Sequence, residues 1–188
     1  MISVLFARSD SIYKCLDDVD VWDIERDALN YSGNNAVIAH PPCRAWGKLK
    51  HFAKPRPGEK ELAFFAVDSV RRNGGVLEHP LGSSLWKEAN LPAVGKRDSF
   101  GGWSFCVDQY WFGHRARKST LLYIVGCEPG YIPIFPIKLG VPSHVAAWSK
   151  TKHKAKRPAL KQAEREKTPI EFALWLCALA KKCQRVDL

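Results

Sequence analysis

"VIAHPPCRAWG", residues Val37 to Gly47, is the stretch on which the fold turns. Small apolar residues run without interruption into His40, two prolines and Cys43. A short apolar run closed by turn residues reads as a buried strand. "GVLEHP", Gly75 to Pro80, repeats the design: an apolar strand, then Glu78, His79 and a proline. Strands of this kind belong to α/β sheets, where ligands bind beyond the carboxyl ends of the strands.

Working outward, "ISVLFA" is a further short buried strand. "SDSIYKCL" is a short helix with Ser9 as its cap, and "VDVWDIE" a strand that ends in Asp23 and Glu25. After a loop, "PGEKELAFFAVDSVRRNGG" places Leu62, Phe65, Ala66, Ser69 and Val70 on one helical face. Gly74 is its C-cap, since glycine tolerates the left-handed conformation there. "SFCVDQYWFGH" and "STLLYIVG" read as two more strands joined by the basic link "GHRARKS". Prolines from Tyr131 onward break regular structure, and residues 140–167 read as a basic loop. In "TPIEFALWLCALAKKC", residues 168–183, Thr168 as N-cap, Pro169 and Glu171 spell a capping box. Phe172, Trp175, Leu176 and Leu179 form the apolar face of that helix. Strands alternating with helices predict a single α/β domain over residues 1–188 with a largely parallel sheet.

Composition narrows the classes. The chain has 188 residues, 46% of them hydrophobic, which is ordinary for a globular domain. No apolar run is long enough for a membrane span, and the start "MISVLFARSD" lacks the pattern of a signal peptide. Six scattered cysteines without CxxC spacing fit neither a zinc ribbon nor a disulfide scaffold, and predict free thiols in a reducing cytoplasm. The net charge is +10 and is uneven: residues 1–35 carry three basic and seven acidic side chains, residues 145–167 eight basic and two acidic. A basic segment beside a less basic body suggests a polyanion partner, or a solvated lysine-rich loop.

The motifs carry chemistry. Two prolines fix the backbone at the strand end and hold the Cys43 thiol in place. A thiolate can attack carbon if a neighbour lowers its pKa; Arg44 and the loop "HRARK" are candidates, while a buried free cysteine is the ordinary alternative. Glu78 ends a neighbouring strand. A thiolate that adds to C6 of a pyrimidine needs a proton at N3, which a carboxylic acid of raised pKa can supply. Arg115, Arg117 and Lys118 lie between two strands, where guanidinium groups could hold phosphate or a pyrimidine O2.

This ordered set, Pro-Pro-Cys, then Glu-His-Pro, then a basic loop between strands, resembles the DNA (cytosine-5) methyltransferases, above all the short methyltransferase-like proteins of bacteriophages. The resemblance implies a compact Rossmann-like methyltransferase-type α/β sheet with flanking helices. It implies catalytic roles for Cys43, Glu78 and one of Arg115 or Arg117, S-adenosylmethionine as cofactor, DNA as partner, and the host cytoplasm as location. The closing "KTPIEFALWL" is similar to the family's last helix. His40 stands where the family has an acidic or amide residue, and is a candidate base for Cys43. A donor pocket is expected along Phe6, Ala7, Ser9, Asp10, Asp23 and Pro41, with Asp23 placed for ribose hydroxyls. Arg44, Lys118, Lys150, Lys152, Lys154, Lys156 and Arg157 are expected to meet nucleic-acid phosphates.

The chain departs from the family in three ways. "VLFARSDSIY" has no glycine where the family has a glycine-rich turn, few residues separate Asp23 from Cys43, and no separate recognition domain fits, so a recognition partner or homodimer is expected. Two other functions stay open: a thiol-dependent pyrimidine enzyme that does not use S-adenosylmethionine, or a non-catalytic nucleic-acid-binding protein on a decayed scaffold. His40, Cys43, His79 and His114 all sit at strand ends and could bind zinc, although their spacing is irregular.

Overall fold

The computed structural model describes residues 1–47, 50–146 and 157–183. Six strands, β1 (Ile2–Leu5), β2 (Val19–Trp22), β3 (Val37–Ala39), β4 (Gly75–Pro80), β5 (Trp103–Asp108) and β6 (Ser119–Val125), form one sheet in the order β2-β1-β3-β4-β6-β5. Among the described residues four helices accompany them: α1 (Glu61–Asn73), α2 (Leu85–Glu88), α3 (Gln162–Glu166) and α4 (Ile170–Ala180). β1 to β4 run parallel, and β6 lies antiparallel between β4 and β5. The mostly parallel α/β sheet with flanking helices is thus as the strand pattern predicts.

Side chains alternate across each strand, so each strand feeds two cores. On one face Val4, Ile38, Val76, Leu122 and Ile124 meet Phe172, Trp175, Leu176 and Leu179 of α4. On the other, Leu5, Val37, Ala39, Leu77 and Val125 meet Ala63, Ala66, Val67 and Val70 of α1. Cover on both faces is why the strands read as unbroken apolar runs. Each fully buried large side chain contributes roughly 1.5–3 kcal/mol relative to exposure, so α4 is a wall of the core. Among the described residues no helix is long and apolar enough to cross a membrane.

Several local expectations change. The buried face of α1 is centred on alanines, while Leu62 and Phe65 are only half-buried; small residues let the helix lie close on the sheet. Gly74 caps α1 at φ 74° as expected. Gly75 is the more constrained glycine: at φ 128°, an added Cβ would stand 2.0 Å from the Val37 carbonyl oxygen. The first helix is a single 3-10 turn, Ile12–Cys15, capped by Ser11 and not Ser9. The strand expected up to His114 stops at Asp108, whose carboxylate accepts the Tyr110 and Lys118 amides and bends the chain into a 3-10 turn, Gln109–Phe112. α4 begins one residue later than the capping box requires, with extended Pro169 at the N-cap, so Thr168 makes no cap. The expected basic loop holds α3 and a parallel bridge between Val145 and Ala159.

Candidate active site at the carboxyl edge of the sheet

From β1 the chain first moves outward to β2, then returns to place β3 on the other side of β1. The carboxyl ends of β1 and β3 therefore flank a point where the sheet order reverses, the place where such sheets open a crevice. Phe6 and Ala7 follow β1; His40, Pro41, Pro42 and Cys43 follow β3. Glu78 lies near the end of β4, and the antiparallel β6 begins at the same edge, bringing Lys118 there.

A directional hydrogen-bond chain fixes Glu78. His40 Nδ1 lies 3.0 Å from Glu78 Oε2, and its Nε2 lies 3.1 Å from the hydroxyl of buried Tyr13. Gln109 Nε2 donates to Glu78 Oε1 at 3.1 Å and to Thr120 Oγ1 at 3.1 Å. Burial alone would raise the Glu78 pKa. The His40 hydrogen bond and the positive charge of Lys118 outweigh it and hold the carboxyl at about 2. This corrects the expectation of a protonated Glu78: the group is a fixed carboxylate and an acceptor. It also removes His40 as a base for Cys43, because both ring nitrogens are engaged elsewhere.

Solvent reaches Cys43, yet protein atoms surround its thiol closely. Loss of hydration, then the negative charge of Glu78, push the thiol above its ordinary value; Lys118 opposes them. The expected depressed pKa is therefore not what this environment produces. Arg44, the expected activator, is already paired: its Nε and a terminal nitrogen grip buried Glu59, the former at 2.9 Å. Glu59 also accepts the Arg56 amide, so Arg44 ties the thiol loop to the entry of α1.

The basic link is redistributed in the same way. Arg115 bonds Glu164 at 2.7 Å and His144 at 2.7 Å. Arg117 bonds Asp108 and the Gly140 carbonyl, each at 3.2 Å, and lies over the Tyr110 ring. Neither arginine joins the Cys43–Glu78 pair; Lys118 is the cation whose field acts on both. Arg157 donates to the Pro142 carbonyl at 2.9 Å. Lys150, Lys152, Lys154 and Lys156 lie outside the described residues.

The donor edge is mixed. Phe6 takes a left-handed backbone conformation, φ 60°, at the end of β1, and its ring packs edge-on against Phe65. A tight turn thus forms without glycine, at a cost of roughly 1–2 kcal/mol. Ala7 is buried and donates its amide to Trp22. Pro41 is buried, whereas Ser9 and Asp10 are exposed. Arg8 is neutralised by Asp10 at 2.8 Å and by Glu166 of α3 at 2.5 Å. Asp23 is occupied: one oxygen binds Lys14 at 2.5 Å, the other accepts the Glu25 and Arg26 amides.

The four candidate zinc residues do not converge. His79 points to the face opposite Glu78, against Trp86, and His114 turns its Nδ1 to the Ala116 backbone. Among the described residues no three His, Cys, Asp or Glu side chains form a metal-ligand group. His79 is 1% exposed, and burial lowers its pKa to about 4 against the opposing pull of Glu78 and the Pro42 backbone. Tyr13, Gln109 and Thr120 were not legible as site residues. Their partners lie 27, 31 and 11 residues away in sequence, and only the fold brings them together.

No protein-family model matches this chain, and comparison with curated proteins and with solved structures gives no match either.

Proposed function

We propose that this chain modifies pyrimidine bases in DNA, starting with addition of the Cys43 thiolate to C6 of the ring. The carrying observation is the placement of Cys43 after β3 and Glu78 near the end of adjacent β4, on the edge where the sheet order reverses. That placement also supports the Rossmann-like reading of the sheet. The base must first leave the duplex stack, or be single-stranded already. The Cys43 thiol, which solvent reaches, passes its proton to water, with Lys118 favouring the thiolate. A sulfur–C6 bond forms, and the electron pair of the C5–C6 double bond moves into the ring and onto its heteroatoms. C5 thereby becomes nucleophilic. Once C5 has taken an electrophile and lost its original hydrogen as a proton, the thiolate leaves and the double bond returns.

The resemblance implies cytosine-5 methylation by a phage protein in the host cytoplasm, with S-adenosylmethionine as the methyl source. The Phe6 turn suits such a donor, but Asp23, the acid meant for its ribose, is already held by Lys14 and two amides. The residues present do not fit that donor as they stand, so no step is routed through it. The Lys14–Asp23 pair favours a second reading, the same thiol addition serving a reaction without that donor.

The test is hydrogen exchange at C5. Single-stranded DNA that contains both cytosine and uracil is incubated with the protein in deuterated water, with and without S-adenosylmethionine, and the nucleosides are analysed by mass spectrometry. Thiol addition alone suffices to exchange C5 hydrogen. Exchange that Cys43→Ser abolishes is the expected result, and methyl incorporation separates the two readings. Neither exchange nor methylation by the wild-type chain would overturn both.

A further inference from the structure

Resting on the thiol-addition reading, we propose that the ring accepted between Cys43 and Glu78 is a pyrimidine carrying hydrogen on N3, a uracil-type ring, in preference to cytosine. The ground is the one-way polarity of the hydrogen bonds around Glu78.

That polarity follows from the far ends of the network. The Thr120 hydroxyl donates to the Lys118 carbonyl at 3.2 Å, which leaves its oxygen to accept from Gln109 Nε2. The second hydrogen of the same nitrogen faces Glu78 Oε1. Reversing the amide would set its oxygen against the carboxylate, so the nitrogen faces Glu78, although Gln109 Oε1 then has no hydrogen-bond partner among the described residues. On the other side, the Tyr13 hydroxyl meets His40 Nε2. A neutral ring with its hydrogen on Nε2 would turn the Nδ1 lone pair towards Glu78, and imidazole, the stronger base of the two, keeps a proton shared with a carboxylate; a neutral ring therefore carries its hydrogen on Nδ1, with the Tyr13 hydroxyl donating to Nε2. If the ring is protonated, Nδ1 carries a hydrogen as well. Either way a hydrogen faces Glu78 Oε2.

Both oxygens of Glu78 therefore receive donors, and among the described residues no neighbour accepts a proton from it. Its held ionisation, noted above, agrees with this. N3 and C6 are opposite corners of a pyrimidine ring, so a ring with C6 at the thiol presents N3 along the diagonal. An N3–H, as in uracil, donates to the carboxylate. Neutral cytosine presents a lone pair there, and two acceptors then face each other in a partly buried site. Cytosine could offer its 4-amino hydrogen only by sliding along its edge, which carries C6 away from Cys43. Sites whose polar groups are left unpaired by the wrong ligand discriminate strongly.

The measurement is the ratio of C5 exchange rates on two single-stranded oligonucleotides that differ in one base, uracil or cytosine. A ratio taken within one protein sample does not depend on how much of a variant is folded. The wild type should exchange uracil at least tenfold faster. Glu78→Gln, whose amide both donates and accepts, should bring the ratio towards one. Equal rates on the two rings, or faster cytosine exchange, in the wild type would overturn the inference while leaving thiol addition standing. So would an unchanged ratio in Glu78→Gln. Absence of exchange on either ring would overturn the thiol-addition reading and this inference with it.

Discussion

His40, just past the end of β3, and Glu78 of adjacent parallel β4 stand side by side, one residue beyond the paired Ala39 and Leu77, with His40 Nδ1 3.0 Å from the carboxylate. Removing the imidazole leaves Glu78 to Gln109 and lets burial dominate. In His40→Ala the Glu78 pKa should climb from about 2 towards or past the ordinary carboxylate range. C5 exchange should fall roughly 10–100-fold at neutral pH, as loss of a charged hydrogen bond predicts, and should fall further as pH drops. His40→Asn, which keeps a donor, should recover part of the rate. A pH–rate profile of the three proteins decides this.

Cys43→Ser should abolish exchange while changing unfolding stability by less than about 1 kcal/mol, because serine is close to cysteine in shape and the residue reaches solvent. In the wild type the thiol lies above its ordinary value. Below that pKa the thiolate fraction, and with it the exchange rate, should rise about tenfold per pH unit. A rate that is flat from pH 6 to 9 would contradict the thiolate as attacking group.

Acid should destabilise the fold in two stages. Buried His79 has a pKa lowered from 6.5 to about 4, so the unfolded chain binds the extra proton between those values. Its contribution is complete above about pH 6.5 and is lost as pH falls to about 4, on the order of 3 kcal/mol. Glu78 is lowered from 4.5 to about 2, so its contribution is present above about pH 4.5 and is lost below that. Urea unfolding at stepped pH should show both stages. His79→Leu should flatten the first and keep the second.

Gly75→Ala should be among the most damaging single substitutions, costing more than about 2 kcal/mol. The new methyl group meets the Val37 backbone, and the φ of 128° disfavours any side chain. Thermal unfolding measures the loss. Gly58→Ala, where an added Cβ meets nothing within 4 Å, shows the effect of a positive φ, 74°, alone.

If Lys150, Lys152, Lys154 and Lys156 contact DNA phosphates, replacing all four with alanine should lower the slope of log affinity against log salt by about 3 for single strands. Titrations at several salt concentrations measure it. An unchanged slope would remove the segment from the DNA interface.

The strands were legible because parallel strands covered on both faces need unbroken apolar runs, as in Val37–Ala39. The placement of Cys43 and Glu78 at the carboxyl edge was legible because both follow or close short apolar strands. Their electrostatics were not. Arg44 is adjacent to Cys43 in sequence but spends its fork on Glu59, whereas Lys118, 75 residues away by number, supplies the field. Likewise Asp23 has the right place for a ribose, and only the fold shows Lys14 on it. Sequence neighbours predict where a side chain starts, and tertiary contacts decide what it faces.

The chain of contacts from Tyr13 through His40 and Glu78 to Gln109 also binds four separate segments: the first crossover turn, the end of β3, the end of β4 and the turn after β5. Short turns of three or four residues would otherwise fray on their own, at low free energy. Here each is stitched to the others through buried polar atoms that are costly to unpair. Amide hydrogens of Ile12–Cys15 and Gln109–Phe112 should therefore exchange with solvent in one concerted opening, with closely similar protection, although almost a hundred residues of chain lie between them. The carboxyl edge of the sheet would then open as a single cooperative unit.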